Sequence, residues 1–337
     1  MFSIARSVFI SCFTKRVPHI ASCAFFLLGV LSPISDAGQN SAPGASRCVS
    51  RDMIRQMARE GNSVRVSPSM ERTHNAGAAE NEKGIALAKT PENVRTLEEA
   101  HRWFEKAARK GYAPAQVNLA ILSLAGWGTT PNAGTALYWL REAAHQQYSL
   151  AYFDLGVLYL EGCGVPRDDA EAFRYFEQGA HAGDSAAEMN LGYLFDQGWG
   201  VEQDRAQAAL WYRKAAENGV AQAQYNLADL YGRGEGVERD EVAAFVWFQR
   251  AAMQGHTGAR VILGTMYAEG RGTAKNPQAA YEWISAAALQ GDARGAETLA
   301  SIERELTPEQ LTKSKARAQL LAQSARPRRD AEVALLQ

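Results

Sequence analysis

The sequence predicts an all-α protein, an α/α superhelical solenoid of 36-residue helix–turn–helix repeats. When the sequence is written in rows of 36 residues, the same residue types recur in fixed columns over five rows, without a gap. Two columns are glycine: Gly126, Gly162, Gly198, Gly234 and Gly270, then Gly128, Gly164, Gly200, Gly236 and Gly272. A third is aromatic: Trp139, Tyr175, Trp211, Trp247 and Trp283. A fixed period of this kind is typical of stacked repeat units. We therefore expect one repeat array instead of the two domains that the chain length alone suggests.

Each repeat is predicted to contain a helix A, a turn and a helix B. In one row, apolar residues recur at helical spacing on both sides of the Gly-x-Gly pair: Ala187, Leu191, Leu194, Ala208, Trp211, Tyr212 and Ala215. The glycines end helix A, where positive φ penalises a Cβ. Helix B then begins at an N-cap: Asp168, Asp204, Asp240 or Asn276. Glu171 and Gln207 follow two of these caps at capping-box spacing. The aromatic column should fill the gap between helices, which buries Trp211.

The array is predicted to span residues 79–305, with a degenerate first repeat (79–114), five full repeats (115–294) and a partial last repeat (295–305). Residues 306–337 are predicted to form a C-terminal capping helix and tail, begun by Thr307 as N-cap and Pro308 at the first helical position. Residues 38–78 lack the repeat pattern and are predicted to be a flexible linker, in which residues 52–60 could form one short amphipathic helix.

Residues 1–37 are predicted to be a signal peptide, with an uncleaved membrane anchor as the alternative. Basic residues precede an apolar run over residues 20–31, and Ser35 and Ala37 stand at the −3 and −1 positions of a cleavage site. The mature chain would then be periplasmic or secreted, and it would keep Cys48 and Cys163. An oxidising compartment would allow these cysteines to pair, although two unpaired thiols are the simpler interpretation.

The net charge argues against nucleic-acid binding, and the absence of catalytic motifs argues against an enzyme. The formal net charge is −1, with 36 basic and 37 acidic residues. No phosphate-binding loop, metal-ligand spacing or nucleophile–base set stands out, because the Gly-x-Gly pairs recur as helix ends and the histidines are scattered. The sequence therefore predicts no enzyme, no cofactor, and no catalytic or metal-binding residues.

One polar column is a candidate for partner binding: Asn118, Asp154, Asn190 and Asn226, on the helix A that usually lines the concave face of such solenoids. Side-chain amides one repeat apart could hydrogen-bond an extended peptide. Alternatively, they hydrogen-bond the neighbouring repeat or turn. Under the binding hypothesis, variable residues nearby would set the choice of partner: Gln116, Tyr152, Glu188, Gln222 and Arg260.

The repeat pattern resembles the Sel-1-like repeat family, relatives of tetratricopeptide repeats. Residues 151–168 read Ala-x-x-x-Leu-Gly-x-x-Tyr-x-x-Gly-x-Gly-Val-x-x-Asp, and residues 208–219 read Ala-x-x-Trp-Tyr-x-x-Ala-Ala-x-x-Gly. The resemblance covers about residues 79–305 and implies a right-handed superhelix that serves as a scaffold or adaptor. Exported bacterial members of that family include envelope regulators, host-interaction factors and a cysteine-rich group described as binding or hydrolysing penicillin-like compounds.

That resemblance implies an exported protein–protein interaction scaffold that binds a protein or peptide in its concave groove. A membrane association would require that residues 1–37 stay uncleaved, as in a membrane-anchored envelope regulator. The other alternative is a penicillin-binding or β-lactamase-like enzyme of the cysteine-rich Sel-1-like group. That alternative is disfavoured, because those members carry a cysteine pair in most repeats and only Cys163 lies in this array.

Overall fold

A computed structural model describes residues 76–89 and 94–324 of the chain, and these residues contain 14 α-helices and no β-strand. The helices are α1 (Ala78–Lys89), α2 (Val94–Arg109), α3 (Ala113–Ala125), α4 (Ala133–His145), α5 (Ser149–Glu161), α6 (Asp169–His181), α7 (Ser185–Gln197), α8 (Arg205–Glu217), α9 (Ala221–Arg233), α10 (Glu241–Met253), α11 (Thr257–Glu269), α12 (Pro277–Ala288), α13 (Ala296–Glu303) and α14 (Pro308–Ser324). The predicted signal peptide, most of the linker and the end of the tail lie outside the described residues.

The helices pack as consecutive pairs, which confirms the predicted solenoid. Each helix A, such as α7, packs against its own helix B, α8, and against the helix B of the preceding repeat, α6. Five such pairs fall between residues 113 and 288, and helix A begins at Ala113, two residues ahead of the predicted row. None of the described helices is both long enough and apolar enough to span a bilayer.

The two glycines of each turn are needed for different reasons. Gly198 ends α7 in the left-handed conformation, with φ of +70°, and its N–H donates to the carbonyl of Leu194. Gly200 also has positive φ, +69°, but it also lies against the first turn of the preceding helix B. A Cβ there would come within 2.0 Å of the Asp169 carbonyl oxygen. The second glycine column therefore sets how closely adjacent repeats approach.

The predicted N-caps are confirmed, but the predicted capping boxes are wrong. The Asp168 carboxylate accepts from the backbone N–H groups of Ala170 and Glu171, both at 3.0 Å. The Asp168 N–H donates to the Tyr159 carbonyl at 2.9 Å, across the turn, while the Glu171 carboxylate accepts from Arg174. The same backbone tether recurs at each helix B cap of the five pairs: Asn132, Asp204, Asp240 and Asn276 donate to Ser123, Phe195, Tyr231 and Tyr267. This tether fixes the geometry of each turn.

A full capping box forms instead at the start of α14. The Gln310 N–H donates to Thr307 Oγ1 at 3.2 Å, and the Thr307 N–H donates to Gln310 Oε1 at 3.0 Å. The predicted role of Thr307 as N-cap is therefore confirmed, and the reciprocal bond also holds the N–H of the cap itself.

The aromatic column is only partly what the sequence predicts. Trp211 is buried as predicted, with 9% of its surface exposed and its ring edge-on to His181 at 5.5 Å. The other four members of that column are half-buried. The residue that follows each of them is fully packed, and this second column fills the space between helices: Leu140, Phe176, Tyr212, Phe248 and Ile284.

A buried arginine joins the last repeats to the capping helix. Arg260 is 0% exposed. Its guanidinium donates to the carbonyl of Ala252 at 3.0 Å, to the carbonyl of Leu321 at 2.8 Å and to Gln290 Oε1 at 2.9 Å. Both carbonyls lie in the last turn of a helix, where unpaired backbone oxygens and the helix dipole favour a cation. The helix α14 packs against α12, so it completes the array.

Candidate functional site

The predicted polar column makes contacts that differ from repeat to repeat. Asn118 is buried and donates from Nδ2 to Asn81 Oδ1 of the first repeat at 3.0 Å. Asn190 is buried and donates to the Ala186 carbonyl of its own helix at 2.8 Å. Asn226 is half-buried and accepts from Gln222 Nε2 at 2.9 Å, and Asp154 is half-buried in α5. Only Asn118 bridges two repeats through these bonds.

Most of the residues expected to set the choice of partner contact the protein's own helices instead, so that expectation is wrong. Gln116, Glu188 and Arg260 are buried, with at most 6% of their surface exposed. Gln116 and Arg260 donate to the backbone carbonyl eight residues earlier, in the last turn of the preceding helix B. The Tyr152 hydroxyl donates to the Ala144 carbonyl in the same way, at 2.9 Å. This column therefore binds the end of one repeat to the start of the next.

The same column, in which Gln224 and not Gln222 holds the position in α9, also contacts the end of its own helix B, a network that the sequence-based reasoning missed. Each pair is separated by 30 residues: Gln146 with Gln116, Asn218 with Glu188, Gln254 with Gln224, and Arg260 with Gln290. Polar residues at matching offsets in four repeats are visible in the sequence. That pairing of columns is a signal that could have revealed the network.

Two further positions of each helix A lie three and six residues after the polar column. We call these positions the open side of the A helices. In α7, α9 and α11 all of them are half-buried: Tyr193, Asp196, Asp229, Gly232, Thr265 and Ala268. The Tyr193 ring meets Trp199 edge-on, with 5.5 Å between ring centroids. Aromatic and acidic groups thus stand side by side on α7 and α9.

Partial burial changes the acid–base properties of this open side. Burial raises the pKa of Asp229, although the Arg233 guanidinium 3.1 Å away opposes that shift, and the carboxylates of Glu235 and Asp196 add to it. Burial also raises the pKa of Tyr193 to about 12, with a smaller contribution from Asp196. Both effects follow from restricted solvation of charge, so a cationic group that approached these acids would be favoured.

Acidic residues outnumber bases where these helices meet the turns. Arg205 Nε lies 3.4 Å from Asp196 and 3.2 Å from Glu235. One arginine therefore bridges two acids of adjacent turns, while Asp229 is paired with Arg233. Among the described residues no cluster of three or more His, Cys, Asp or Glu side chains could hold a metal ion. The open side offers binding chemistry, namely hydrogen bonding, aromatic stacking and negative charge.

Cys163 takes part in a disulfide bond, so its interpretation as an unpaired thiol is wrong. It lies in the turn that follows α5 and is buried, with 6% of its surface exposed. It is the only cysteine in the described ranges 76–89 and 94–324. The second sulfur therefore comes from a part of the chain outside those ranges.

The repeat geometry agrees with a family model. The model of the Sel1 repeat matches residues 91–112, 113–148, 149–184, 185–220, 221–256 and 259–292, more than half of the chain. The chain belongs to the Sel1 repeat family. The four Sel1 matches that begin at residues 113, 149, 185 and 221 each start at the first residue of a helix A of the structure.

Two solved structures of Sel1-type proteins are similar to this chain. A Sel1 repeat protein from Oxalobacter formigenes is 30% identical, with a TM-score of 0.58, over 67% of this chain and 91% of that chain. The protein c5321, a protective antigen of uropathogenic Escherichia coli with an SLR fold, is 23% identical over 87% of this chain and 79% of that one, with a TM-score of 0.48. No curated protein sequence matches significantly. Proteins of the Sel1 repeat type are protein-interaction scaffolds and typically have no enzymatic activity.

Proposed function

We propose that this Sel1 repeat protein is an exported scaffold that binds a protein or peptide partner along the open side of its A helices. The observation that carries the proposal is the chemistry of α7 and α9. Tyr193, Asp196 and Asp229 are half-buried side by side, and nothing in the repeat frame requires acids or a tyrosine at those positions. In α3 and α5 the same positions are aliphatic, so the fold itself tolerates either kind.

The partner that fits this surface carries basic and aromatic or aliphatic side chains. A lysine or arginine would meet the carboxylates of Asp196 and Asp229 in a partly desolvated setting, where charge pairs are stronger than in water. The ring of Tyr193 offers a large contact area with few rotatable bonds. An extended segment advances about 3.3 Å per residue and repeats stack roughly 10 Å apart, so every third residue could meet one repeat.

Capture of the partner from an envelope extract, followed by affinity measurements on matched variants, tests this surface. Asp229→Asn keeps the shape of the side chain and removes its charge. We expect roughly a threefold to tenfold loss of affinity at low salt and a smaller loss at high salt. The control is Glu217→Gln, which also replaces a carboxylate by an amide, at an exposed residue of α8. Equal affinities for Asp229→Asn and the wild type would contradict the proposed surface.

The polar column is tested with a double variant, Asn190→Ala plus Asn226→Ala. If the column binds the partner, affinity should fall roughly tenfold to thirtyfold, from about 1 kcal/mol for each hydrogen bond. If it serves the fold, the melting temperature should fall and the affinity of the folded fraction should stay the same. The contact of Asn190 with its own helix favours the second outcome for that residue.

Export is supported by the disulfide at Cys163, because disulfides persist in oxidising compartments. The expected site of cleavage is after Ala37, and N-terminal sequencing of the mature protein tests it. A mature chain that begins at Met1 and partitions with membranes would instead favour the anchored alternative.

A further inference from the structure

An arginine and a tyrosine from neighbouring repeats form a hydrogen-bonded pair at two places away from the open side. Arg213 of α8 donates from Nη2 to the Tyr231 hydroxyl of α9 at 2.6 Å, and Arg141 of α4 donates to the Tyr159 hydroxyl of α5 at 2.9 Å. The two pairs occupy equivalent positions two repeats apart. Tyr231 follows Asp229 by two positions, so its side chain leaves α9 about 200° around the helix axis from that residue of the open side.

A second arginine accompanies each pair, from the turn that follows the tyrosine. A cavity of about 500 Å³ opens between α8, the end of α9 and the turn before α10, and Arg213, Tyr231 and Arg239 line it. Arg167 holds the place of Arg239 beside the other pair. Three other interfaces between a helix B and the next helix A carry different residues at these positions: Glu105, Ser123 and Pro131; Glu177, Phe195 and Gln203; Gln249, Tyr267 and Lys275. The fold therefore does not require the set of two arginines and a tyrosine.

The arginines of the two pairs carry a positive charge that no carboxylate of the described residues neutralises. The turn arginines differ, because Arg167 is ion-paired with Asp169 and Arg239 with Glu241, both at 2.6 Å. A guanidinium has five N–H donors and no acceptor, and Arg213 gives one of them to the phenol. Since the phenol oxygen accepts that bond, the phenol proton can be donated to a ligand. Each set thus presents hydrogen-bond donors and one uncompensated positive charge.

Two acids that also line the cavity limit the charge of the ligand. The Asp240 carboxylate accepts from two backbone N–H groups in the first turn of α10, both at 2.9 Å, so it serves as the cap. Glu238 is exposed, and Pro166 takes its place in the other set. A doubly charged phosphate would be repelled by both acids. A carboxylate carries the single negative charge that Arg213 can neutralise, and its two oxygens match the guanidinium fork.

The separation of the two sets selects an extended ligand. Two repeat spacings of roughly 10 Å place the sets about 20 Å apart. An extended segment advances about 3.3 Å per residue, so carboxylates six residues apart would reach both sets. Glu177 of α6 holds the arginine position of the interface between them. The residue midway along such a segment is therefore favoured when it is basic and disfavoured when it is acidic.

We propose that the sets Arg141–Tyr159–Arg167 and Arg213–Tyr231–Arg239 bind two carboxylates of one extended acidic segment of a partner protein. The arginine of each pair supplies the charge, and the tyrosine holds that arginine and donates its own proton. This inference goes beyond the proposed function, because the two sets share no residue with the open side. Either surface can therefore fail its test without affecting the other.

Binding of a labelled peptide to the full chain, measured by fluorescence anisotropy at low salt, tests the proposal. The peptide has two glutamates six residues apart and a lysine midway. Its control has glutamine in place of both glutamates, and we expect the control to bind about tenfold more weakly. Equal binding of the two peptides would refute the carboxylate sites. Displacement of the glutamate peptide by inorganic phosphate, at an ionic strength where chloride has no effect, would overturn the assignment to carboxylates.

Tyr231→Phe tests the phenol without disturbing the packing, because Phe195 holds the same position in α7. We expect about a threefold to tenfold loss of affinity for the glutamate peptide and no change for the glutamine peptide. The matched control is Tyr267→Phe in α11, where Gln249 stands in place of the arginine. Equal effects of the two variants, or a lower melting temperature for Tyr231→Phe with unchanged affinity, would show that the pair only joins repeats.

Glu238→Gln tests the sign of the charge that the cavity accepts. Removal of this acid should tighten binding of the glutamate peptide about twofold to threefold, because a like charge is removed. Glu217→Gln, at an exposed residue of α8, should leave the affinity unchanged. Weaker binding to the Glu238→Gln protein would mean that the cavity accepts a cation, and it would overturn the proposal.

Discussion

The second glycine of each turn is predicted to be far less tolerant of alanine than the first, although both have positive φ. Three variants isolate the cause. Gly219→Ala changes a residue with φ of +87° and nothing within 4 Å of the new Cβ, so it reports the conformational cost alone. Gly198→Ala has the same kind of φ, +70°, and its Cβ would meet the Gln203 Cβ at 3.2 Å. Gly200→Ala would place a Cβ 2.0 Å from the Asp169 carbonyl oxygen and 2.8 Å from the Ala170 nitrogen.

The magnitudes follow from these contacts. A left-handed alanine costs about 1 kcal/mol in all three variants. Gly198→Ala adds little, because the Gln203 side chain needs to move only a few tenths of an ångström. Gly200→Ala must push the first turn of α6 away by more than 1 Å, since ordinary contact begins near 3.4 Å. Overpacking of that kind costs about 1–3 kcal/mol, and loss of the Asp168 cap about 1 kcal/mol more. The total for Gly200→Ala is about 3–5 kcal/mol.

Urea denaturation of the four proteins measures the global cost, and hydrogen exchange locates it. Repeat arrays can unfold in stages, so the exchange rates of α6 and α7 are the direct readout. We expect faster exchange in the first turn of α6 for Gly200→Ala only. If the Gly200→Ala and Gly219→Ala proteins were equally stable, the second glycine would be needed only for its positive φ. The close approach of adjacent repeats would then not constrain the residue at that position.

Three further predictions concern single side chains. Trp211→Ala should cost about 3–5 kcal/mol in urea denaturation, because a buried aromatic is lost; a cost below about 1 kcal/mol would mean that Trp211 is exposed. Arg260→Ala should release α14 and lower the free energy of unfolding by about 2–4 kcal/mol, because the bond to the Leu321 carbonyl is lost. Hydrogen exchange should become faster in residues 308–323 but not in α5. Unchanged exchange in α14 would show that the Leu321 contact is dispensable. Burial lowers the pKa of His256 to about 4 from 6.5, and its Nδ1 caps α11 by accepting from Ala259 N–H. Since the folded pKa is the lower one, its stabilisation is complete above pH 6.5 and is lost between pH 6.5 and 4, by about 2 kcal/mol at pH 4.5. Subtracting the pH dependence of His256→Asn, which keeps a capping side chain, should isolate that loss.

The sequence alone determined the fold class and the local chemistry of each repeat. The glycines at helix ends and the aspartates at helix starts are decided by backbone conformation within a few residues, so a column such as Asp168 and Asp204 predicts its hydrogen bonds correctly. The fixed period then requires stacking, because no single helix pair can bury its apolar side alone. The family follows from the same residues.

Tertiary structure decided which neighbour each side chain meets. The sequence could not show that the Asp168 N–H pairs with the Tyr159 carbonyl across the turn, which leaves the Glu171 side chain out of the cap. Nor could the row of aromatics show that Tyr212, one position after Trp211, is the residue that is fully enclosed. A helix position differs from the next by about 100° around the axis, so a modest rotation of helix B exchanges a half-buried residue for a buried one. The orientation of helix A likewise decides that Gln116 and Arg260 reach the carbonyl ends of neighbouring helices, so they join repeats instead of facing a partner.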